Sequence, residues 1–510
     1  MMEGVAQIRI GMIQGAEQIS FTVEGPHRIA NERGETVLES SETRSYRATV
    51  ADVTPGKLEY WVRVGIRERG RGAELAEAWE ERGFSPRVET LGRLTHFGRS
   101  QVDNREDWVL VGPFENAEAA EQFRRAQETP GELAVLEWVV ERPKGTAALN
   151  GQAVGSVIRA IPRESEEPHI WLDDVLIGIE FHWQHREREH LRGLLEVNFN
   201  RYGQLLAINE LPLESYLASV NSSEMTGDSP EELLKAQTVA ARSTIFATAG
   251  KHHFNEPFDL CADDHCQCYY GAQREMERSW QAVRATWGEV LTSGGLVCDA
   301  RYSKICGGII EDYRYVWDNR VVPYLVSGID GTVDLGYPAN TEERARKLID
   351  SSPDVYCNVD RYELPESLRD RCAGLFRWEV SYTPEELGDL IQRKTGVRIG
   401  RIRDLVPLER GDSGRIVYLD VLGSERKLRL GKELEIRRAL SESHLYSSLF
   451  YVEKQTGPDG KVTKFVLHGA GWGHGVGLCQ VGATVMAQKG FDYKEILFHY
   501  YKNTSLERLY

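Results

Sequence analysis

The segment LPLESYLASVNSSEM, residues 211–225, sets a single acid among small and polar residues at the end of an apolar repeat. Pro212 suits the first turn of a helix, where its missing N–H is no loss. Leu213, Tyr216, Leu217 and Val220 then fall at i, i+3, i+4 and i+7, which is one apolar face. Glu224 follows Val220 by four residues, so a helix continued that far aims its carboxylate along the apolar face. A carboxyl held there is partly desolvated, the condition in which it serves as a general acid at neutral pH. The alternative is an ordinary surface acid at a helix end, one of 78 acidic residues in the chain.

The next stretch, SPEELLKAQTVAARSTIFATAG (229–250), carries helix signals at both ends. Ser229 as N-cap, Pro230 at N1 and Glu232 at N3 predict a capping box, and Gly250 predicts the stop. Lys235 and Arg242 are seven apart and share a face. Gln237 and Arg242 are placed to offer hydrogen bonds to a polar substrate. The plain alternative is a solvated stripe on a surface helix.

Moving outward, 510 residues exceed one compact core, and two to four domains are expected. Apolar residues at 41% and charged residues at 27% are an ordinary globular balance. A formal net charge of −16 argues against a nucleic-acid partner, whose affinity comes from clustered Lys and Arg. Neutral glycans, peptides and small molecules stay open. No apolar run approaches the length of a transmembrane helix. The opening MMEGVAQIRIGM has no basic region followed by an apolar one, so no secretory signal is read.

The expected fold class is α+β and multi-domain. Residues 1–55 alternate in short runs and predict an N-terminal β-module. Residues 56–143 hold an internal repeat, since YWVRVG (60–65) returns as DWVLVG (107–112). Each run is followed by a helical pattern and another β-rich run, which predicts a small split-βαβ unit. Trp61 and Trp108 read as packing residues. Paired W-V-x-V-G strands with Ala-rich helices resemble the SPOR domain, whose family binds peptidoglycan strands lacking stem peptides. RPKGTAALNGQ (142–152) reads as a linker. Residues 150–339 form the first part of the main domain, 340–440 a charged peripheral α/β lobe, and 441–510 the return to the main domain.

Two local patterns carry further chemistry. CADDHCQC (261–268) offers Cys261, His265, Cys266 and Cys268, with His252 and His253 just upstream. Thiolate and imidazole suit zinc, while a local disulfide or reduced structural thiols fit the same residues. Cys357 and Cys372 flank a charged run and are candidates to pair, which would need an oxidising compartment. HGAGWGHGVGLCQVGA (468–483) alternates glycines from Gly469 to Gly477. It lacks the spacing of a nucleotide-binding loop. Alternating glycines instead permit close backbone approach and positive φ, leaving His474 and Gln480 as ligand contacts, or His474 as a buried hydrogen-bonded residue. Tyr302 and Ser303, ahead of CGG, are further cleft candidates.

Taken in order, LPLESYLASVNSSEM…LLKAQTVAARS, CADDHCQCYYG, DARYSKICGG and WGHGVGLCQVGA…YKEILFHYYKNTSL resemble the SpoIID/LytB family from about residue 190 to 510. The resemblance implies a SpoIID-like core that cleaves peptidoglycan glycan as a lytic transglycosylase with one glutamate, which maps to Glu224. It implies that the family's arginine is Arg242, and that Gln267 and Tyr269 line the groove. It implies a structural zinc held by Cys261, Cys266 and His265 or an upstream histidine. Cys479 stands where many relatives carry serine. The second reading is the LytB branch, a non-catalytic enhancer that stimulates a cell-wall amidase. A third is pure wall binding, with Glu224 only touching sugar. The expected partner is peptidoglycan and the expected location the cell envelope.

Overall fold

The computed structural model describes residues 6–97, 100–179, 183–225 and 228–510. The strand Gln7–Ala16 runs antiparallel to Leu205–Pro212, with Ile8 opposite Leu211, and parallel to the short strand Leu260–Cys261. These belong to a seven-stranded sheet, and a six-stranded sheet packs against it. Ile8, Ile10, Phe21, Val23, Leu172, Val197 and Leu205, drawn from both sheets, share one core. Leu205–Pro212 leads directly into the helix Leu213–Glu224, so the sandwich fixes where that helix starts.

The N-terminal strands are therefore not a separate module at 1–55. Gln18–Val23 and Arg44–Thr54 pair with each other and with Ile170–Ile177 and Lys144–Leu149. Each alternating strand has one apolar face that needs cover. Here the partners are strands ninety or more residues away, which local alternation does not reveal. The stretch read as a linker likewise contains the strand Lys144–Leu149.

Residues 57–141 are inserted between these strands as a βαββαβ unit. Its sheet order is Ala134–Glu141, Lys57–Glu68, Glu106–Phe114, Pro86–Leu91, all antiparallel. That is the split-βαβ arrangement. Trp79, Phe84, Phe114 and Phe123 pack together between helices and sheet. Trp61, Trp108 and Leu110 cluster with Trp138 and, from the main body, Phe254.

The long helix Glu231–Thr248 divides two cores. Leu233, Leu234, Val239 and Ala240 enter one, while Ala241, Ile245 and Phe246 enter the sandwich core. It begins at Glu231 with Pro230 in the cap position. Glu232 accepts the Tyr493 N–H at 2.8 Å and the Lys235 ammonium at 2.8 Å instead of closing a capping box on Ser229. Among the described residues no helix is long and apolar enough to cross a membrane.

The peripheral lobe runs past residue 440. Arg377–Tyr382 pairs with Val462–Ala470, which pairs with Phe450–Thr456. Trp378, Leu387, Ile391, Leu419, Phe465 and Leu467 form its core. The chain then returns: Leu478–Cys479 lies parallel to Tyr302–Ser303, and Ser505–Arg508 pairs with Glu289–Ser293.

Candidate functional site

Leu213, Tyr216, Leu217 and Val220 are all buried, as their spacing requires. Their helix ends at Glu224, which is half-buried and lines a cleft of about 2300 Å³. That is well above the 300–1,000 Å³ typical of small-molecule pockets, and it suits an extended polymer. Glu224 Oε1 faces the Cys268 N–H at 3.3 Å and the Tyr302 hydroxyl at 3.4 Å, and Oε2 faces Gln480 Nε2 at 3.4 Å. These contacts are long, and they orient the carboxylate from three sides. Lys304 Nζ donates to the Glu224 main-chain carbonyl at 3.2 Å, a cation at a helix C-terminus.

Each donor comes from a different part of the fold. Cys268 ends the Cys/His segment. Tyr302 lies on the two-residue strand that pairs with Leu478–Cys479, and Gln480 opens the helix that follows. The expected candidates Tyr302, Ser303, His474 and Gln480 all line the cleft with Glu224. Ser303 Oγ is buried and has no hydrogen-bond partner among the described residues. His474 Nδ1 accepts the Val476 N–H at 3.0 Å, which leaves Nε2 as the protonated nitrogen. Burial, then the nearby Arg301, Arg415 and Arg437, hold its pKa down at about 3. His474 is thus a neutral donor and not an acid. Trp317 lies 5.0 Å from its ring, and Trp472 adds a second aromatic surface to the cleft.

Five other candidates lie outside the cleft. Arg242 is 0% exposed and forms a two-pronged pair with Glu214 at 2.9 and 2.6 Å. Lys235 pairs with Glu231 and Glu232 at 2.6 and 2.8 Å. Gln237 is fully buried. Gln267 accepts the Tyr216 hydroxyl and donates to Ala241 O, and Tyr269 donates to Asn209 at 2.6 Å while stacking on Tyr216. The long helix is buried over most of its surface, and Gln267 and Tyr269 pack against it and against the helix before it. Arg242 meets protein, and Lys235 is held by acids of its own helix.

The structure also adds a residue that the sequence reading passed over. Asp264 lines the same cleft. Burial, then the charge of Glu224, push its pKa up to about 6. Its only sequence signal was its place inside CADDHCQC, where the cysteines drew attention.

In that segment His253, Cys261, His265 and Cys266 bring four ligand atoms within 4.8 Å of one another. His253 Nε2 lies 3.3 Å from Cys266 Sγ, and His265 Nδ1 lies 3.8 and 3.6 Å from the two thiols. A tetrahedral ion with bonds of about 2.0–2.3 Å needs ligand spacings of roughly 3.3–3.8 Å. The hydrogen bond from Cys266, then those from the two histidines, pull the Cys261 thiol down to about 2, so it is a ready thiolate. The donor set fits a Cys2His2 ion, with His253 as the upstream histidine. All eight cysteines are free, so Cys357 and Cys372 are not paired. Cys357 lies 3.5 Å from Cys306 instead.

The fold and cleft define a multi-domain α+β protein with one carboxylate-bearing groove at the junction of its parts. Residues 201–293 match the family described as Stage II sporulation protein, SpoIID, and residues 311–477, which include the peripheral lobe, match a domain of unknown function. The chain is 28% identical over 309 residues to the amidase enhancer of Bacillus subtilis, covering 57% of this chain and 40% of that protein. It is 23% identical over 314 residues to the stage II sporulation protein D of Bacillus amyloliquefaciens, covering 59% and 75%. It is 25% identical over 360 residues to an uncharacterized protein of Brachyspira hyodysenteriae, covering 71% and 83%. Over these stretches the chain is similar to the SpoIID family and to curated relatives named stage II sporulation protein D and amidase enhancer.

Proposed function

We propose that this protein cleaves the MurNAc–GlcNAc glycan of peptidoglycan as a lytic transglycosylase, on strands free of stem peptides, in the cell envelope. The observation that carries the proposal is Glu224, a half-buried carboxylate on the wall of an open cleft, held by long donors and, among the described residues, without a cationic side chain on its carboxylate. In its protonated form Glu224 gives its proton to the glycosidic oxygen. The C1–O bond breaks, the leaving sugar departs as an alcohol, and an oxocarbenium-like centre remains. The carboxylate then takes the proton of the muramoyl C6 hydroxyl as that oxygen bonds to C1. The product is a 1,6-anhydro end, and Glu224 returns to its starting state. Tyr302, Gln480 and the Cys268 N–H keep the carboxylate aimed through both steps.

The 57–141 unit supports a glycan-binding role. Its Arg63, Arg67, Arg69 and Trp108 line the cleft, so a strand held there runs toward Glu224. The Cys2His2 group is assigned to a structural zinc on His253, Cys261, His265 and Cys266. These four residues would hold the ion, which would balance the charge of the thiolates and pin the segment that carries Asp264 and the Cys268 N–H. A second reading is favoured by the similarity to the amidase enhancer: a protein that binds the strand without cutting it and stimulates an amidase.

Denuded strands are incubated with wild type and with Glu224→Gln, and the products are read by mass spectrometry. Anhydro-muramoyl ends that vanish in the variant are expected. Reducing ends would make the enzyme a hydrolase, with Asp264 as the second carboxylate that activates water. Binding without cleavage would support the enhancer reading.

A further inference from the structure

Three cysteines take no part in the cleft, yet they meet in the interior. Cys306, Cys357, Cys479 and Asp330 are each 0% exposed. Their ligand atoms lie within 4.8 Å of one another. Cys306 Sγ is 3.5 Å from Cys357 Sγ and 3.4 Å from Asp330 Oδ2. A tetrahedral ion with bonds of about 2.3 Å to sulfur and 2.0–2.2 Å to oxygen requires spacings of roughly 3.5–3.8 Å.

The surroundings are arranged for anionic ligands. The Cys306 and Gly482 N–H groups donate to Cys479 Sγ at 3.3 and 3.5 Å. The Cys357 N–H donates to Asp330 Oδ2 at 3.1 Å, and the Tyr500 hydroxyl holds Oδ1 at 2.8 Å. Hydrogen bonds of this kind favour charged ligands and fix their direction. Among the described residues no lysine or arginine forms an ion pair with Asp330, and His499 Nε2 at 3.7 Å is its nearest cationic-capable group. A buried carboxylate beside three thiols is costly unless a cation meets it. A side chain at residue 482 would press on Asp330 and on the Tyr500 hydroxyl, so glycine keeps the centre open.

We infer that Cys306, Cys357, Cys479 and Asp330 bind a second zinc-class divalent cation, at a buried centre separate from the Cys2His2 group. Three thiolates and one carboxylate select a soft, tetrahedral ion, and full burial with four protein ligands leaves no open position for chemistry. The centre is structural. Its ligands come from four segments, and the strands beside them, Tyr302–Ser303, Gly328–Ile329 and Leu478–Cys479, are two residues each. Pairings that short need a clamp. Cys479 directly precedes Gln480, and Cys306 lies two residues after Lys304, so the ion anchors two of the groups that hold Glu224.

The test is metal content of protein purified without chelator, with zinc counted by mass spectrometry and its ligands read by X-ray absorption. Wild type is expected to carry two zinc ions per chain, with an average of about 2.5 sulfur ligands per ion. Cys261→Ser/Cys266→Ser halves the zinc, and the ion that stays shows three sulfurs and one light atom. Adding Cys357→Ser removes it. Cobalt(II) added to the metal-free double variant restores a thiolate-to-cobalt absorption band. Should the double variant not fold, wild type decides alone. One zinc with two sulfurs and two nitrogens overturns the inference, as does a double variant that binds neither metal. A Cys306–Cys357 disulfide in peptide maps of non-reduced protein overturns it equally.

Discussion

Glu311 shows how strongly the interior acts on one side chain. It has no exposed surface and accepts the Ser413 hydroxyl at 2.6 Å and the Asp312 N–H at 2.9 Å. Burial outweighs these bonds and pushes its pKa from 4.5 up to about 7. The unfolded chain ionises this group near 4.5, whereas the folded chain keeps the proton to about 7. Between those values the native state binds more protons, so its contribution to stability is full below the lower pH and is lost as pH rises through the upper one. The loss is about 3 kcal/mol at about 1.4 kcal/mol per pH unit. Glu311→Gln removes it, so the variant should gain on wild type by that amount between pH 4.5 and 8, read from urea midpoints. A difference that stays flat with pH would refute the assignment. Arg242 makes a related point: burial turned an expected substrate contact into half of an internal ion pair with Glu214.

At the scale of elements, the glycine-rich stretch is explained by two demands at once. Gly477 sits at φ +71°, and a Cβ there would strike the Arg301 carbonyl oxygen. Gly460 has a similar φ of +73° but open space around it. Left-handed backbone costs a non-glycine residue about 1–3 kcal/mol. Gly460→Ala should show only the lower end of that cost in denaturant unfolding. Gly477→Ala should exceed it, because the Arg301 carbonyl belongs to the segment that carries Tyr302. Equal losses at the two sites would mean that close approach plays no part. The helix Leu213–Glu224 followed its sequence pattern on the apolar face, while Glu231–Thr248 did not follow the surface-helix pattern, because it lies between two cores. Helix periodicity reports which face is most apolar. It does not report whether the opposite face is also covered.

For the whole molecule, the inserted βαββαβ unit both walls the cleft and closes the end of the long helix. Asn104 Nδ2 donates to Phe246 O at 2.8 Å and to Ala249 O at 2.9 Å, satisfying carbonyls that a helix end leaves open. Asn104→Ala should cost about 1–2 kcal/mol and speed hydrogen exchange at the end of that helix. Unchanged exchange would show that the unit docks through its other contacts, such as Trp108 against Phe254 at 5.5 Å. By itself the sequence determined the α+β class, the apolar face that carries Glu224, the βαββαβ repeat and the Cys/His group. Each of these is written in residues close along the chain, where periodicity and spacing translate directly into geometry. Tertiary structure alone decided the rest. It wove the N-terminal strands into the sandwich, carried the lobe to Ala470 and buried Arg242, Gln267 and Tyr269. It also set Asp264 beside Glu224, and drew Cys306, Asp330, Cys357 and Cys479 together across 173 residues of sequence. Those outcomes depend on which distant surface covers each segment, and burial, not local pattern, sets the chemistry of the side chains so enclosed.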